Sequence, residues 1–172
     1  MKYASRAAIA FGVAALLAGG VIAACTSAGA EAGGETIHVH ELVSKLTYVP
    51  VQTLTASKSA VNQGDLIAFD DPVVNAATSK TVGYNEGACF LTDVAASLYE
   101  CPAVTFVFTG TGGYRAGTIV ATGYVDSPAS GSGKVTMSPL IGGTGAYSGA
   151  KGTLEFQQLT PTLDSEIFTL KS

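Results

Sequence analysis

Ile141-Gly142-Gly143-Thr144-Gly145-Ala146-Tyr147-Ser148-Gly149-Ala150-Lys151-Gly152, continued by the alternating run Thr153-Leu154-Glu155-Phe156, is the stretch from which the class of fold is read. Five glycines in twelve residues are incompatible with a helix interior, where each costs about 0.8–1 kcal/mol relative to alanine. The flanks alternate like strands, so the segment reads as a tight corner feeding a strand. A phosphate loop is the competing reading. It fails because no Gly-Lys-Ser/Thr follows and Gly142-Gly143-Thr144-Gly145 opens no helical pattern.

Working outward, period-two patterns recur along the chain. Ile37, Val39, Glu41 and Val43 share one face of a first strand, while His38, His40, Leu42 and Ser44 share the other, so a single carboxylate stands in an apolar row. Val51 to Ala60 reads as a Thr/Ser-rich strand. Asn62-Gln63-Gly64-Asp65 is a turn before Leu66 to Phe69, and Asp70-Asp71-Pro72 is expected to break that run. Thr81 to Thr92 and Cys101 to Thr109 are the strongest strands, joined by a hairpin near Val94-Ala95-Ala96. Thr118 to Val125, Lys134 to Leu140 and Lys151 to Leu159 follow, with Ile167 to Leu170 as a last strand or a short helix. About eight strands with no convincing helix define an all-β protein, and closure into a barrel removes the exposed edges that an open sheet would leave.

The N-terminus has a different character. Lys2 and Arg6 precede an apolar run through Ala24, the pattern of an export signal over residues 1–24. Ile22-Ala23-Ala24-Cys25 reads as a lipobox that would lipidate Cys25 and anchor the protein at the outer face of the cell membrane. Ala28-Gly29-Ala30 offers the alternative of free secretion. Residues 25–35 are small and polar, a tether, and 36–172 form the single domain. Taking Lys2 and Arg6 from a chain of net charge −4 leaves −6, with Arg115 the sole arginine. An acidic domain without a basic cluster argues against nucleic acid as a partner.

The segments Glu41 to Asp71, Val82-Gly83-Tyr84-Asn85-Glu86-Gly87-Ala88-Cys89-Phe90-Leu91, Tyr99-Glu100 with Thr105-Phe106-Val107-Phe108, and Gly142-Gly143-Thr144-Gly145 with Gly149 resemble allene oxide cyclase and the related dirigent proteins. The resemblance runs from about Ile37 to Ser172. It implies an eight-stranded antiparallel β-barrel of the allene oxide cyclase/dirigent (calycin-like) type, with an apolar lumen and often a homotrimer or homodimer. It places Glu41 at the family's charge-steering glutamate, Pro50 at the proline whose carbonyl holds a water, and Cys89 at the lumen cysteine. It also places Asp71 where the family has an asparagine, and Val43 and Val49 where it has an asparagine and a serine. Two polar positions have become apolar, and water without two to four polar partners is poorly held.

A carboxyl in an apolar lumen is pushed toward its neutral form, which suits Glu41 to act as a base or as the partner of a cationic transition state. The bland alternative is a solvated rim glutamate. If the hairpin turns about residue 95, Cys89 faces Cys101, and export favours a disulfide over a reactive thiol. His38 and His40 could both face a metal, but no third ligand is placed by the sequence and a solvated pair is the simpler reading. Tyr48, Tyr84, Tyr99, Phe69, Phe90, Phe106 and Phe108 are expected as core or lumen wall, with Phe69, Phe106 and Phe108 touching substrate. The expected activity is cyclisation or isomerisation of a small hydrophobic substrate, without metal or cofactor. A dirigent-like guide or carrier and a structural cell-envelope module are the alternatives.

Overall fold

The computed structural model describes residues 34–44, 46–50, 62–126 and 133–171. The expected export signal, Cys25 and the strand over Val51 to Ala60 lie outside the described residues. The strands are β1 (Thr36–Glu41), β2 (Thr47–Val49), β3 (Leu66–Asn75), β4 (Thr81–Asp93), β5 (Leu98–Thr109), β6 (Ala116–Asp126), β7 (Val135–Gly145), β8 (Gly152–Thr160) and β9 (Leu163–Leu170). Every neighbouring pair is antiparallel, and the sheet runs β1-β9-β8-β7-β6-β5-β4-β3 and closes through β1–β3. β2 pairs with the first part of β3, so β1 and β2 are two pieces of one stave and the barrel has eight staves. The last segment is therefore a strand, with no short helix.

Asp70-Asp71-Pro72 does not break β3, contrary to expectation. β2 accompanies β3 from Leu66 to Ala68 and β1 accompanies it from Val73 to Asn75, so Pro72 sits where the neighbouring stave bends away and its missing N–H costs no ladder bond on that side. The bend is held by the aspartate. Ser44 donates both its N–H and its hydroxyl to Asp71 Oδ1, each at 2.7 Å, and Leu42 N–H donates to the Pro72 carbonyl at 2.9 Å.

The β4–β5 hairpin pairs Leu91 with Tyr99 and Phe90 with Glu100, as a turn about residue 95 requires, and Cys89 and Cys101 form a disulfide. Beyond it the register slips by one residue, to Ala88 with Ala103. The extra residue is Pro102, which has no N–H to lose in a bulge.

One end of the barrel is solid. Ile37, Val39, Val82, Phe106, Phe108, Ile119, Tyr147, Phe168 and Leu170 fill it, with the Phe106 and Phe168 rings edge to face at 4.8 Å. The glycine stretch closes this end. β7 continues through Gly145, the turn spans Ala146 to Gly149, and β8 begins at Gly152. A Cβ on Gly143 would lie 2.4 Å from both the Thr118 and Tyr147 carbonyl oxygens, so glycine permits the close approach of three chain segments. Glu35, expected in the tether, is instead tied to the barrel. Arg115 pairs with its carboxylate and Leu170 N–H donates to its carbonyl.

Three stability measurements check this packing. At Gly152, with φ +138°, a Cβ would lie 1.9 Å from the Thr169 carbonyl oxygen. Gly152→Ala is expected to lose roughly 3 kcal/mol in urea unfolding, from overpacking and backbone strain together. At Gly149, φ is +73° with nothing within 4 Å, so Gly149→Asn is expected to stay within about 0.5 kcal/mol. Reduction of the Cys89–Cys101 disulfide should lower stability by about 2–4 kcal/mol, and neither thiol should react in denaturant before reduction.

Candidate functional site

The other end of the lumen is open. A cavity of about 140 Å³ runs inward from the exposed Leu46 and Pro161 to a floor that contains Glu41, Asn85, Asp164 and Glu166. Strand pairing explains why these groups meet. On antiparallel neighbours, directly paired residues share a face. Glu41 pairs with Asp164 and Val39 with Glu166 on β9, so both acids point inward beside Glu41. Asp71 pairs with Asn85 across β3 and β4. The polar groups thus come from four consecutive staves, β9-β1-β3-β4. The facing wall, from β5, β6 and β8, is mainly apolar and includes Val104, Phe106, Ala121, Val125, Leu154 and Phe156.

Burial dominates the electrostatics. Glu166 is 1% exposed, Asn85 2% and Glu41 6%. Asn85 Nδ2 donates to Glu41 Oε2 at 2.6 Å. Loss of hydration pushes the Glu41 carboxyl up to about 8; a hydrogen bond with Glu166 draws it down, and the nearby Asp164 and Asp71 charges add to the rise. Glu166 is raised well above the ordinary carboxyl range by desolvation and then by the Glu41 charge. Asp164 is pushed up to about 7 by desolvation and by Asp71. The Glu41–Glu166 pair therefore holds a proton near neutral pH, because two buried carboxylates in contact resist joint ionisation. Among the described residues, no lysine or arginine lines the cavity to neutralise them.

Of the residues expected at the site, the cavity contains Glu41, Phe69, Phe106, Cys89 and Cys101. Asp71 is fully buried beside Glu41, where it holds the bend at Ser44 and lies outside the cavity wall. Pro50 is exposed after β2 and does not line the cavity, because the stave has bent away before reaching it. Phe108 belongs to the solid core, packed on Phe168 and Tyr147 below the floor. Tyr84 and Phe90, expected inside, stand on the outer face about 40% exposed. Tyr48 is also exposed, and its hydroxyl donates to Asp65. His38 and His40 lie on the outside in edge-to-face contact at 5.4 Å, with His38 Nε2 hydrogen-bonded to Ser165 Oγ. No group of three metal-ligating side chains exists among the described residues.

Asp164, Glu166 and Asn85 do not stand out as site residues in the sequence alone. The available signal was the alternation Asp164, Glu166, Phe168, Leu170, the same pattern of acids in an apolar row that marks Glu41. It was masked by the shortness of the segment after Pro161, which left strand and helix open.

The proton load makes stability depend on pH. Glu41 and Asp164 have folded pKa values near 8 and 7, above ordinary carboxyl values of about 4. The folded state thus holds protons that the unfolded chain has released. Stability from these groups is complete below about pH 4 and is lost as pH rises to 8. Glu41→Gln, which keeps an acceptor for Asn85, is expected to flatten this fall and to raise the melting midpoint at pH 8 by roughly 3–5 °C. Thermal unfolding from pH 4 to 8 measures it.

Residues 36–171 match the dirigent-like protein family. No functionally curated protein matches the chain at significant similarity. Among solved structures, the chain is similar to a pyocyanin demethylase, with 23% identity and a TM-score of 0.61 over 80% of this chain and 100% of that one. A pterocarpan synthase dirigent protein shares 18% identity with a TM-score of 0.60 over 81% and 87%. An exo-specific intermolecular Diels-Alderase shares 16% identity with a TM-score of 0.58 over 80% and 98%. These identities speak to the fold alone. With the match spanning the barrel from its first strand to its last, the chain belongs to the dirigent-like protein family.

Proposed function

We propose that this protein is an exported barrel that binds a small hydrophobic molecule in its lumen and promotes its isomerisation or cyclisation by proton transfer. The observation that carries the reading is the set of proton-holding carboxyls at the inner end of a cavity whose facing wall is apolar. A carboxylic acid with a pKa near neutrality is a competent proton donor, and its ionised neighbour a competent acceptor, so Glu41 and Glu166 can exchange roles within one cycle. Where a cyclisation develops positive charge, the same buried carboxylates stabilise it, more strongly than they would in water. Phe69, Phe106 and Phe156 restrict the conformations of the bound molecule and supply the proximity contribution. Two of the similar structures carry names of ring-forming proteins, a Diels-Alderase and a pterocarpan synthase, which supports cyclisation as the reaction class.

A guide or carrier role is the second reading, favoured by the dirigent-like family match. It needs the cavity and dispenses with the acids. Mass spectrometry of small molecules retained by natively isolated protein supplies the substrate, and turnover of that molecule separates the two. The catalytic reading expects Glu41→Gln and Glu166→Gln each to lose about 10²-fold or more in turnover while still binding. A guide protein would leave both variants unchanged. Val104→Trp, which fills the lumen from the apolar wall, is expected to abolish binding under either reading.

A further inference from the structure

The floor of the cavity is oversupplied with hydrogen-bond acceptors. Asn85 spends an N–H on Glu41 Oε2, and Glu166, which lies against Glu41, has no partner at Oε2 among the described residues. Among the described residues, Asn85 Oδ1 and Asp164 Oδ1 likewise have no donor, although both residues are more than nine-tenths buried and border the cavity. Buried acceptors without donors are costly and are ordinarily satisfied in the working state of a protein. The described lysines stand exposed outside the lumen, and Arg115 is engaged with Glu35. Among the described residues nothing supplies the donor, and a ligand that brings N–H groups and a positive charge would satisfy these acceptors and offset the acids as they ionise.

We propose that the molecule bound in this lumen is a hydrophobic cation, an amine or protonated nitrogen base whose N–H groups reach Asp164 and Asn85 while its ring lies against the aromatic wall. The inference rests on the proposed ligand-binding role of the lumen and adds the chemical class. Size agrees with it: a cavity of about 150 Å³ takes a benzene ring, and this one is about 140 Å³. Phe69, Tyr99, Phe106 and Phe156 line it, offering ring faces to an aromatic group or a cation. The acids facing the bound nitrogen come from β1 (Glu41) and β9 (Asp164, Glu166), with neutral Asn85 from β4, while Asp71 of β3 lies buried beside Glu41 outside the cavity wall. Arrival of a positive charge favours their ionised forms, so binding is linked to proton release.

Isothermal titration of the intact protein with benzylammonium, benzyl alcohol and benzoate tests this with one ring and three head groups. Benzylammonium is expected to bind at least about tenfold more tightly than benzyl alcohol, with benzoate showing no binding. Its preference should grow from pH 6 to pH 8 as the carboxyls ionise, and the measured heat should differ between phosphate and Tris buffers because protons leave. Asp164→Asn should reduce the preference, with Glu166→Gln as a second variant should the first not fold. Equal or tighter binding of benzyl alcohol or benzoate overturns the cation assignment and leaves lumen binding standing. No binding of any of the three overturns both.

Discussion

Closure of the sheet through β1 is the constraint on which the rest of this molecule depends. β1 is hydrogen-bonded to β9 on one side and to β3 on the other. That double pairing removes both sheet edges and carries Glu41 into a fixed relation with acids separated from it by up to 125 residues. The pairing leaves no latitude: a slip of one residue would turn Glu41 to solvent and His40 inward. Asp71 sets where the pairing stops, because its carboxylate takes two hydrogen bonds from Ser44 and so bends the stave between β1 and β2.

The lumen divides by depth and by side. The inner half is packed with aromatic and branched side chains, which gives the acids above it a dry support. The outer half is open and two-faced, with the polar groups of β9, β1 and β4 opposite an apolar wall from β5, β6 and β8. Burial raises the carboxyls, and their mutual repulsion keeps them raised. A group poised in this way stabilises the fold less as pH rises, a cost carried at a site where proton exchange is useful. The Cys89–Cys101 disulfide borders the same cavity and fixes the β4–β5 hairpin next to the bulge at Pro102.

Much of the fold was legible because period-two alternation is a local signal. The inward set of β1, the β4–β5 hairpin and the disulfide all follow from counting residues. Proline was over-read at Pro72, since its tolerance depends on whether a neighbouring strand needs its N–H, which is a fact of topology. Glycine was under-read at β7, which runs on through Gly145 because close backbone approach favours glycine there over any side chain. At the site, Glu41 was found from its row, and its partners were not. Which acids converge is decided by the order of staves around the barrel, and the β9–β1 closure joins the two ends of the domain. Phe108 had the correct face and the wrong depth, because alternation reports the side of a strand and carries no information about height in the lumen.

Everything proposed for this lumen turns on its acids holding protons near neutral pH. Carboxyl ¹³C NMR titration, with Glu41, Asp164 and Glu166 assigned through their Gln and Asn variants, measures it directly. The expected midpoints are near 8 for Glu41 and near 7 for Asp164, with Glu166 well above ordinary glutamates. Midpoints for all three at about 4, the value of hydrated carboxyls, would contradict it.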